Sequence, residues 1–152
     1  MIVKKLNSGD IIDFKGLLDI FNEVFENNTL LPQDEYLKKL LDNPNFVVIA
    51  AEDNKVILGG LTVYILQSYY NEKPVAYIYD VGVKPIYQGK GIGNSLIQFL
   101  IAYCKTNGFH EAYVEAETDD VEAVKFYRKT NFSTEMQATH FTYKFSSIDN
   151  KS

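Results

Sequence analysis

A mixed α/β domain is the fold class this sequence predicts, and three observations carry it. Apolar, β-branched runs of strand length stand close together at 46–53, 56–66 and 75–83, separated by turn residues. Three- and four-residue apolar spacing marks helices over 17–25, 36–41 and 96–104. After residue 83 the two kinds of segment alternate, the order of right-handed β-α-β crossovers following an antiparallel meander. The implied sheet is mostly antiparallel, with six to seven strands and about four flanking helices, counted off the segments below.

IVKKL (2–6) alternates enough for a first strand. Ser8 to Asp10 offer cap side chains to a helix running to about Phe25, with Leu17, Leu18, Phe21, Val24 and Phe25 on one face. The polar link ENNT leads to a second helix, PQDEYLKKLLDN, with Pro32 near its first turn and Tyr36, Leu37, Leu40 and Leu41 as its stripe. FVVIAAED (46–53) is a strand and Asp53-Asn54-Lys55 a tight turn. VILGGLTVYIL (56–66) and VAYIYDVGV (75–83) are the next two strands. NSLIQFLIAYCKTNG (94–108) is a helix with Leu96, Ile97, Leu100, Ile101 and Cys104 inward and Gly108 as its stop. AYVEAE (112–117) reads as a strand, DVEAVKFYRKT (120–130) as a helix, and FSTEMQATHFTYKF (132–145) as strand-like with a turn near 135–138. Residues 1–146 form one expected domain and 147–152 a polar tail.

Composition narrows the function classes. The chain of 152 residues is long enough to bury a core, and its 46% hydrophobic content suits a packed globule. No run approaches the roughly 18 apolar residues that span a bilayer, and MIVKKLNSGD lacks the features of a signal peptide. A cytoplasmic protein without a membrane partner is expected. One cysteine excludes an internal disulfide, and with only two histidines a metal site is not expected. A net charge of −5 without a basic block disfavours nucleic acid and permits a cationic substrate.

The segment YDVGVKPIYQGKGIG (79–93) is the least ordinary in the chain, because Gly89, Gly91 and Gly93 stand where a helix is about to start. Glycine is costly to fix in a helix, so either the backbone bends there for packing or something approaches it closely. Gln88 through Asn94 would present successive backbone N–H groups at a helix start, a cradle for phosphate. Gly82, within a β-branched strand, adds a second site of close backbone approach. The Gly-Lys-Ser/Thr ending of a nucleotide-triphosphate loop is missing, since Asn94 follows Gly93.

Gln88-x-x-Gly91-x-Gly93 resembles the Gln/Arg-x-x-Gly-x-Gly/Ala loop of the GNAT superfamily of acyl-CoA-dependent N-acetyltransferases. Asp120-x-x-Ala123-x-x-Phe126-Tyr127 followed by Asn131-Phe132 resembles the second half of that signature, with Asp120 in place of Asn and Asn131 in place of Gly. Over nearly the whole chain, PQDEYLKKLL, VILGGLTVY, AYIYDVGV, YVEAETDD and HFTYKF are similar to the type I aminoglycoside 3-N-acetyltransferases, although Thr142 stands where that family has an acid. The resemblance implies that acetyl-CoA is the acyl donor, without a metal. Its diphosphate would lie on Gln88, Gly89, Lys90, Gly91, Ile92, Gly93 and Asn94, with Asp120 and Phe126 beside the coenzyme. Its pantetheine arm would lie along Val81, Gly82 and Val83. The implied acceptor is a small cationic amine, an aminoglycoside at its 3-amino group, and the implied assembly is a homodimer.

The chemistry asks for a base on the amine, donors for a tetrahedral oxyanion and an acid for the thiolate. Asp80 interrupts an apolar strand and stands as general base or ammonium anchor, with Tyr79 beside it in the acceptor site. The backbone N–H of Val81 or Gly82 is the expected oxyanion donor, and Tyr127 is the expected acid. In EAETDDVE (115–122), Asp119 or Asp120 caps the following helix and Glu122 completes a capping box. Glu115 and Glu117 precede the helix on one face of a strand and offer a seat for a polycationic acceptor. His140 is expected to be structural, and Cys104 inert core. Rival readings are acetylation of a polyamine or a protein amine, and a non-catalytic acyl-CoA-binding module; Asp80 and Tyr127 would serve no purpose in the last.

Overall fold

A computed structural model describes residues 1–146, and the expected tail 147–152 lies outside the described residues. Two compact units divide the chain, the first being Met1–Glu115 and the second beginning at Ala116.

The first unit contains a five-stranded sheet in the order β1-β2-β3-β4-β5. Its strands are β1 (Ile2–Lys5), β2 (Phe46–Asp53), β3 (Val56–Leu66), β4 (Val75–Val83) and β5 (Glu111–Val114). The first three ladders are antiparallel, and β5 joins β4 in parallel. This is the predicted meander followed by a β-α-β crossover. The β2–β3 hairpin turns at Asn54 and Lys55, whose φ values of 49° and 66° are the left-handed pair such a turn requires.

Helix α1 (Ile11–Val24) follows a short 3₁₀ turn at Ser8–Asp10, where Asn7 and Asp10 exchange side-chain bonds with each other's backbone as a capping box. Its buried residues are Phe14, Leu17, Ile20 and Phe21, while Phe25, expected inside, is exposed just past the helix end. Helix α2 (Asp34–Asp42) buries Leu37 and Leu41 and turns Tyr36 to the surface. These helices close one core with Leu6, Phe46, Val48 and Ala50. Strand alternation sends Val47, Ile49 and Ala51 to the opposite face. Helix α3 (Ile92–Thr106), with Leu96, Ile97, Leu100 and Cys104 buried, is the crossover between β4 and β5. Burial pushes the Cys104 thiol up to about 11, as suits an unreactive core sulfur.

In the second unit, α4 (Val121–Arg128) is the helix expected over 120–130. Asp120 is its N-cap, accepting from the Ala123 N–H at 3.2 Å. Ala123 therefore occupies the third helical position and Glu122 the second, so the expected capping box does not form. Arg128 grips Glu135 through two bonds, at 3.0 and 2.8 Å. Residues 132–145 are not a strand. Phe141, Tyr143 and Phe145 alternate as a strand would, but all three are exposed and no ladder partner for them exists among the described residues. The sheet therefore has five described strands rather than six or seven. A period-2 pattern reports willingness to pair; the strand itself needs a partner.

Candidate active site

Strand β4 organises the site. Its ladder with β5 runs only from Val75↔Glu111 to Ile78↔Val114, while β4 itself continues to Val83. Past Ile78 that edge has no ladder partner among the described residues. On the other edge, the Lys84 N–H donates to the Leu58 carbonyl at 2.8 Å. Antiparallel alternation then turns the polar groups of Gly82 toward Gly60, and those of Val81 and Val83 toward the open edge. Gln88 follows this arrangement, its Nε2 donating to the Val83 carbonyl at 2.9 Å. Of the two backbone donors considered for an oxyanion, Val81 thus faces the open edge, while Gly82 belongs to the β3 ladder.

Gly82 also has a packing reason. A Cβ there would lie 2.9 Å from Phe21 Cδ1, so its absence lets α1 lie on the strand. Gly89 and Gly91 are different: their φ values are +78° and +83°, and a Cβ on either would meet nothing within 4 Å. Backbone conformation, not packing, calls for glycine at both. Gly91 is the N-cap of α3, and Ile92, Gly93 and Asn94 form the helix's first turn, so the helix starts two residues earlier than expected. The Ile92 side chain enters the core, leaving its backbone as the part that a ligand can use. Lys90 lies over the Tyr87 ring at 5.7 Å.

A bulge re-aims the strand just before the open edge. Thr62 faces Asp80 and Val63 faces Ile78, which makes Tyr79 the extra residue. Thr62, a buried polar residue, accepts the Asp80 N–H on its Oγ1 at 3.3 Å. The Asp80 carboxyl is half-buried, and burial alone holds its pKa above the ordinary carboxylate value.

Because of the extra residue, Tyr77 shares a sheet face with Asp80 although the two are three positions apart. A row of rings results: Tyr64–Tyr79 at 5.4 Å, Tyr79–Tyr77 at 5.8 Å, and Tyr77–Tyr113 stacked at 4.8 Å with planes 12° apart. The Tyr77 hydroxyl donates to Glu115 Oε1 at 3.1 Å. Burial and that bond push the Tyr77 phenol up to about 12, so it stays a donor. Sequence reasoning assigns no role to Tyr64, Tyr77 and Tyr113. The available signal was the i, i+2 spacing of Tyr77 and Tyr79, which places both on one face of a regular strand.

Glu115 and Glu117 lose the strand on which they were to share a face, since β5 ends at Val114. Glu115 joins the ring row, whereas Glu117 lies in the second unit, its carbonyl accepting from the Asp120 N–H at 2.9 Å. In that unit Phe126 and Tyr127 pack edge to face at 5.0 Å, and the Tyr127 carbonyl accepts from Thr130. His140 is exposed. No three His, Cys, Asp or Glu side chains gather as a metal site among the described residues, and no described helix is long and apolar enough to cross a membrane.

A strand whose open edge runs into a glycine turn at a helix start is the framework of an acyl-CoA transferase fold, and the chain belongs to the acetyltransferase (GNAT) family, whose model matches residues 14–132. It is a GNAT acetyltransferase domain, of the acetyl-CoA-dependent N-acetyltransferase class. Among solved structures it is similar to meta-AAC0020, an aminoglycoside acetyltransferase from an uncultured soil metagenomic sample. The two are 40% identical, with 95% of this chain and 96% of that one covered and a TM-score of 0.93; that protein was crystallised with trehalose and with sisomicin. It is also similar to the aminoglycoside N(6′)-acetyltransferase type 1 of Stenotrophomonas maltophilia, at 25% identity over 72% of this chain and 74% of that one. A third relative is the mycothiol acetyltransferase of Arthrobacter sp. (strain FB24), 28% identical over 60% of this chain. There the match spans only 28% of the relative's length.

Proposed function

We propose that this protein transfers the acetyl group of acetyl-CoA to a primary amine of an aminoglycoside by direct attack in a ternary complex. The observation that carries it is the open edge of β4, set between Asp80 and the glycine turn, in a chain 40% identical to an aminoglycoside acetyltransferase crystallised with sisomicin. The coenzyme's diphosphate is assigned to the amides from Gln88 to Asn94, where positive φ at Gly89 and Gly91 and the start of α3 suit an anion. Lys90 adds positive charge there, and Gln88 holds the turn to the strand end. The pantetheine arm is assigned to the open edge at Val81 and Val83, with Gly82 keeping α1 close beneath. Asp120 and Phe126 are assigned to the coenzyme's flank, Asp120 through backbone groups because its carboxylate caps α4.

In this reading Asp80 takes the proton from the acceptor ammonium, and its raised pKa makes it a stronger base than an exposed carboxylate. The freed amine attacks the thioester carbonyl carbon, whose oxygen gains the negative charge and meets the Val81 N–H. As the carbon–sulfur bond breaks, Tyr127 gives its proton to the leaving thiolate, and the surplus proton on the newly acylated nitrogen passes through solvent to restore the Tyr127 phenol. Tyr79, Glu115 and Glu117 are assigned to the acceptor. The 3-amino position follows from the resemblance of the sequence, and the 6′ position is the alternative that the Stenotrophomonas relative supports. A homodimer in the cytoplasm is part of the same proposal.

The test is release of free thiol from acetyl-CoA in the presence of sisomicin, spermidine or a lysine peptide, with the acetylated position read by NMR. Turnover with sisomicin is expected, and Tyr127→Phe is expected to lower kcat about 100-fold with acetyl-CoA affinity kept. Silence with every aminoglycoside overturns the acceptor assignment. Absence of acetyl-CoA binding in calorimetry overturns the whole reading.

A further inference from the structure

The face of the sheet between Asp80 and Glu115 has a property that catalysis does not require. Cross-strand aromatic pairs stabilise sheets, and a buried row would need no other explanation. Here the rings stay open: Tyr79 is 56% exposed, Tyr64 39% and Tyr113 37%. Contiguous exposed rings rimmed by polar groups are the kind of surface on which ligands or partners dock.

Charge says which ligand. Asp80 lies at one end of the row, close enough to Tyr64 to help raise its phenol pKa. Glu115 closes the other end, where its carboxylate and that of Glu111 act on Tyr113. Its bond from Tyr77 uses one oxygen, and a carboxylate has capacity for further donors. Past Tyr113 the same face runs into a cavity of about 460 Å³ lined by Val75, His110, Glu111 and Tyr70 among others. Flat apolar faces flanked by carboxylates complement a molecule with apolar ring faces and ammonium groups on its rim.

We propose that the row Tyr64–Tyr79–Tyr77–Tyr113, closed by Glu115, is the seat of an amino-sugar ring. The ring lies on the face of Tyr113 turned away from Tyr77, since the stacked rings cover each other's facing sides, and one of its ammonium groups bonds to Glu115. A second ring of the acceptor extends into the cavity beside Glu111. The row thereby selects aminated sugars over linear polyamines, which carry charge without a face to stack. This deepens the aminoglycoside reading and rests on it, but its test is a binding measurement that needs no turnover.

Calorimetry without acetyl-CoA would compare sisomicin, spermidine and trehalose as probes. The protein would be wild type, Tyr113→Leu, which keeps apolar area and loses the aromatic face, or Glu115→Gln, which keeps shape and loses charge. Sisomicin is expected to bind wild type more tightly than spermidine or trehalose. It should lose roughly tenfold in affinity on Tyr113→Leu and roughly fivefold on Glu115→Gln. Acetyl-CoA affinity and the far-UV spectrum report that both variants are folded. Unchanged sisomicin affinity in both folded variants overturns the proposal even if sisomicin is acetylated. Sisomicin that binds at the row but is never acetylated leaves the row standing and removes the aminoglycoside function. A dimer that Tyr113→Leu dissociates overturns the proposal in favour of a second copy as occupant.

Discussion

At the scale of the residue, Asp80 combines features that pull in opposite directions. A half-buried carboxylate whose pKa is raised by burial alone is a liability for the fold and an asset for a base. The sign of the stability effect follows. With the folded-state pKa above the unfolded one, the folded protein holds the proton more tightly. This contribution is complete below the unfolded value and is lost as pH rises through the folded value. Asp80→Asn is therefore expected to raise Tm at neutral pH, with the gain disappearing under acid, while lowering kcat at least about 100-fold. Thermal melts and rate profiles across pH check both halves. The wild-type rate should fall under acid at a pH above the ordinary carboxylate range, and the variant should lack that limb. The composition of the sequence alone pointed to Asp80, because a charge inside YIYDVGV is conspicuous. What it concealed was the reason for the orientation: the extra residue Tyr79 and the buried Thr62 hydroxyl are facts of register, visible only once β3 lies alongside.

At the scale of the element, the glycines divide by the work they do. Gly82 makes room for Phe21, whereas Gly89 and Gly91 supply left-handed turns in open space. Alanine at these places should therefore fail in different ways. Gly82→Ala pushes on α1 and is expected to lower stability by about 1–3 kcal/mol, as overpacking does. Gly91→Ala strains one residue by about 1–2 kcal/mol and disturbs the start of α3, so acetyl-CoA affinity should fall more than Tm. Urea unfolding beside acetyl-CoA titration separates the two. Strand and helix identity was legible here: β2, β3 and β4 coincide with 46–53, 56–66 and 75–83, because their β-branched runs end in strong turn residues. Element ends were less so. Helix α3 begins at Ile92, inside the glycine run, since a left-handed Gly91 is an acceptable cap. The 132–145 segment shows the larger gap, because pairing is a property of two segments and propensity is a property of one.

At the scale of the molecule, charge and topology act together. A net charge of −5 draws a polycation toward the surface before any contact forms. The acceptor's KM is expected to rise several-fold as ionic strength goes from about 0.01 M to about 0.15 M, over which the screening length shortens from roughly 30 to 8 Å. Steady-state rates against salt, with KM for acetyl-CoA followed in parallel, show whether the effect belongs to the acceptor. The mixed α/β class was readable from the patterning of the segments, and the family from the resemblance carried by Gln88, Gly91 and Gly93, but the row of tyrosines was not. It assembles from three strands through one bulge and one parallel ladder. That assembly has an optical consequence. The chain contains no tryptophan, so its near-UV absorption and emission come from tyrosine and phenylalanine alone. Tyr77 and Tyr113, stacked with their planes nearly parallel and their centres 4.8 Å apart, are coupled chromophores in that background. The protein thus carries an intrinsic label at the place where its acceptor is proposed to lie, and circular dichroism can follow occupancy there without a dye.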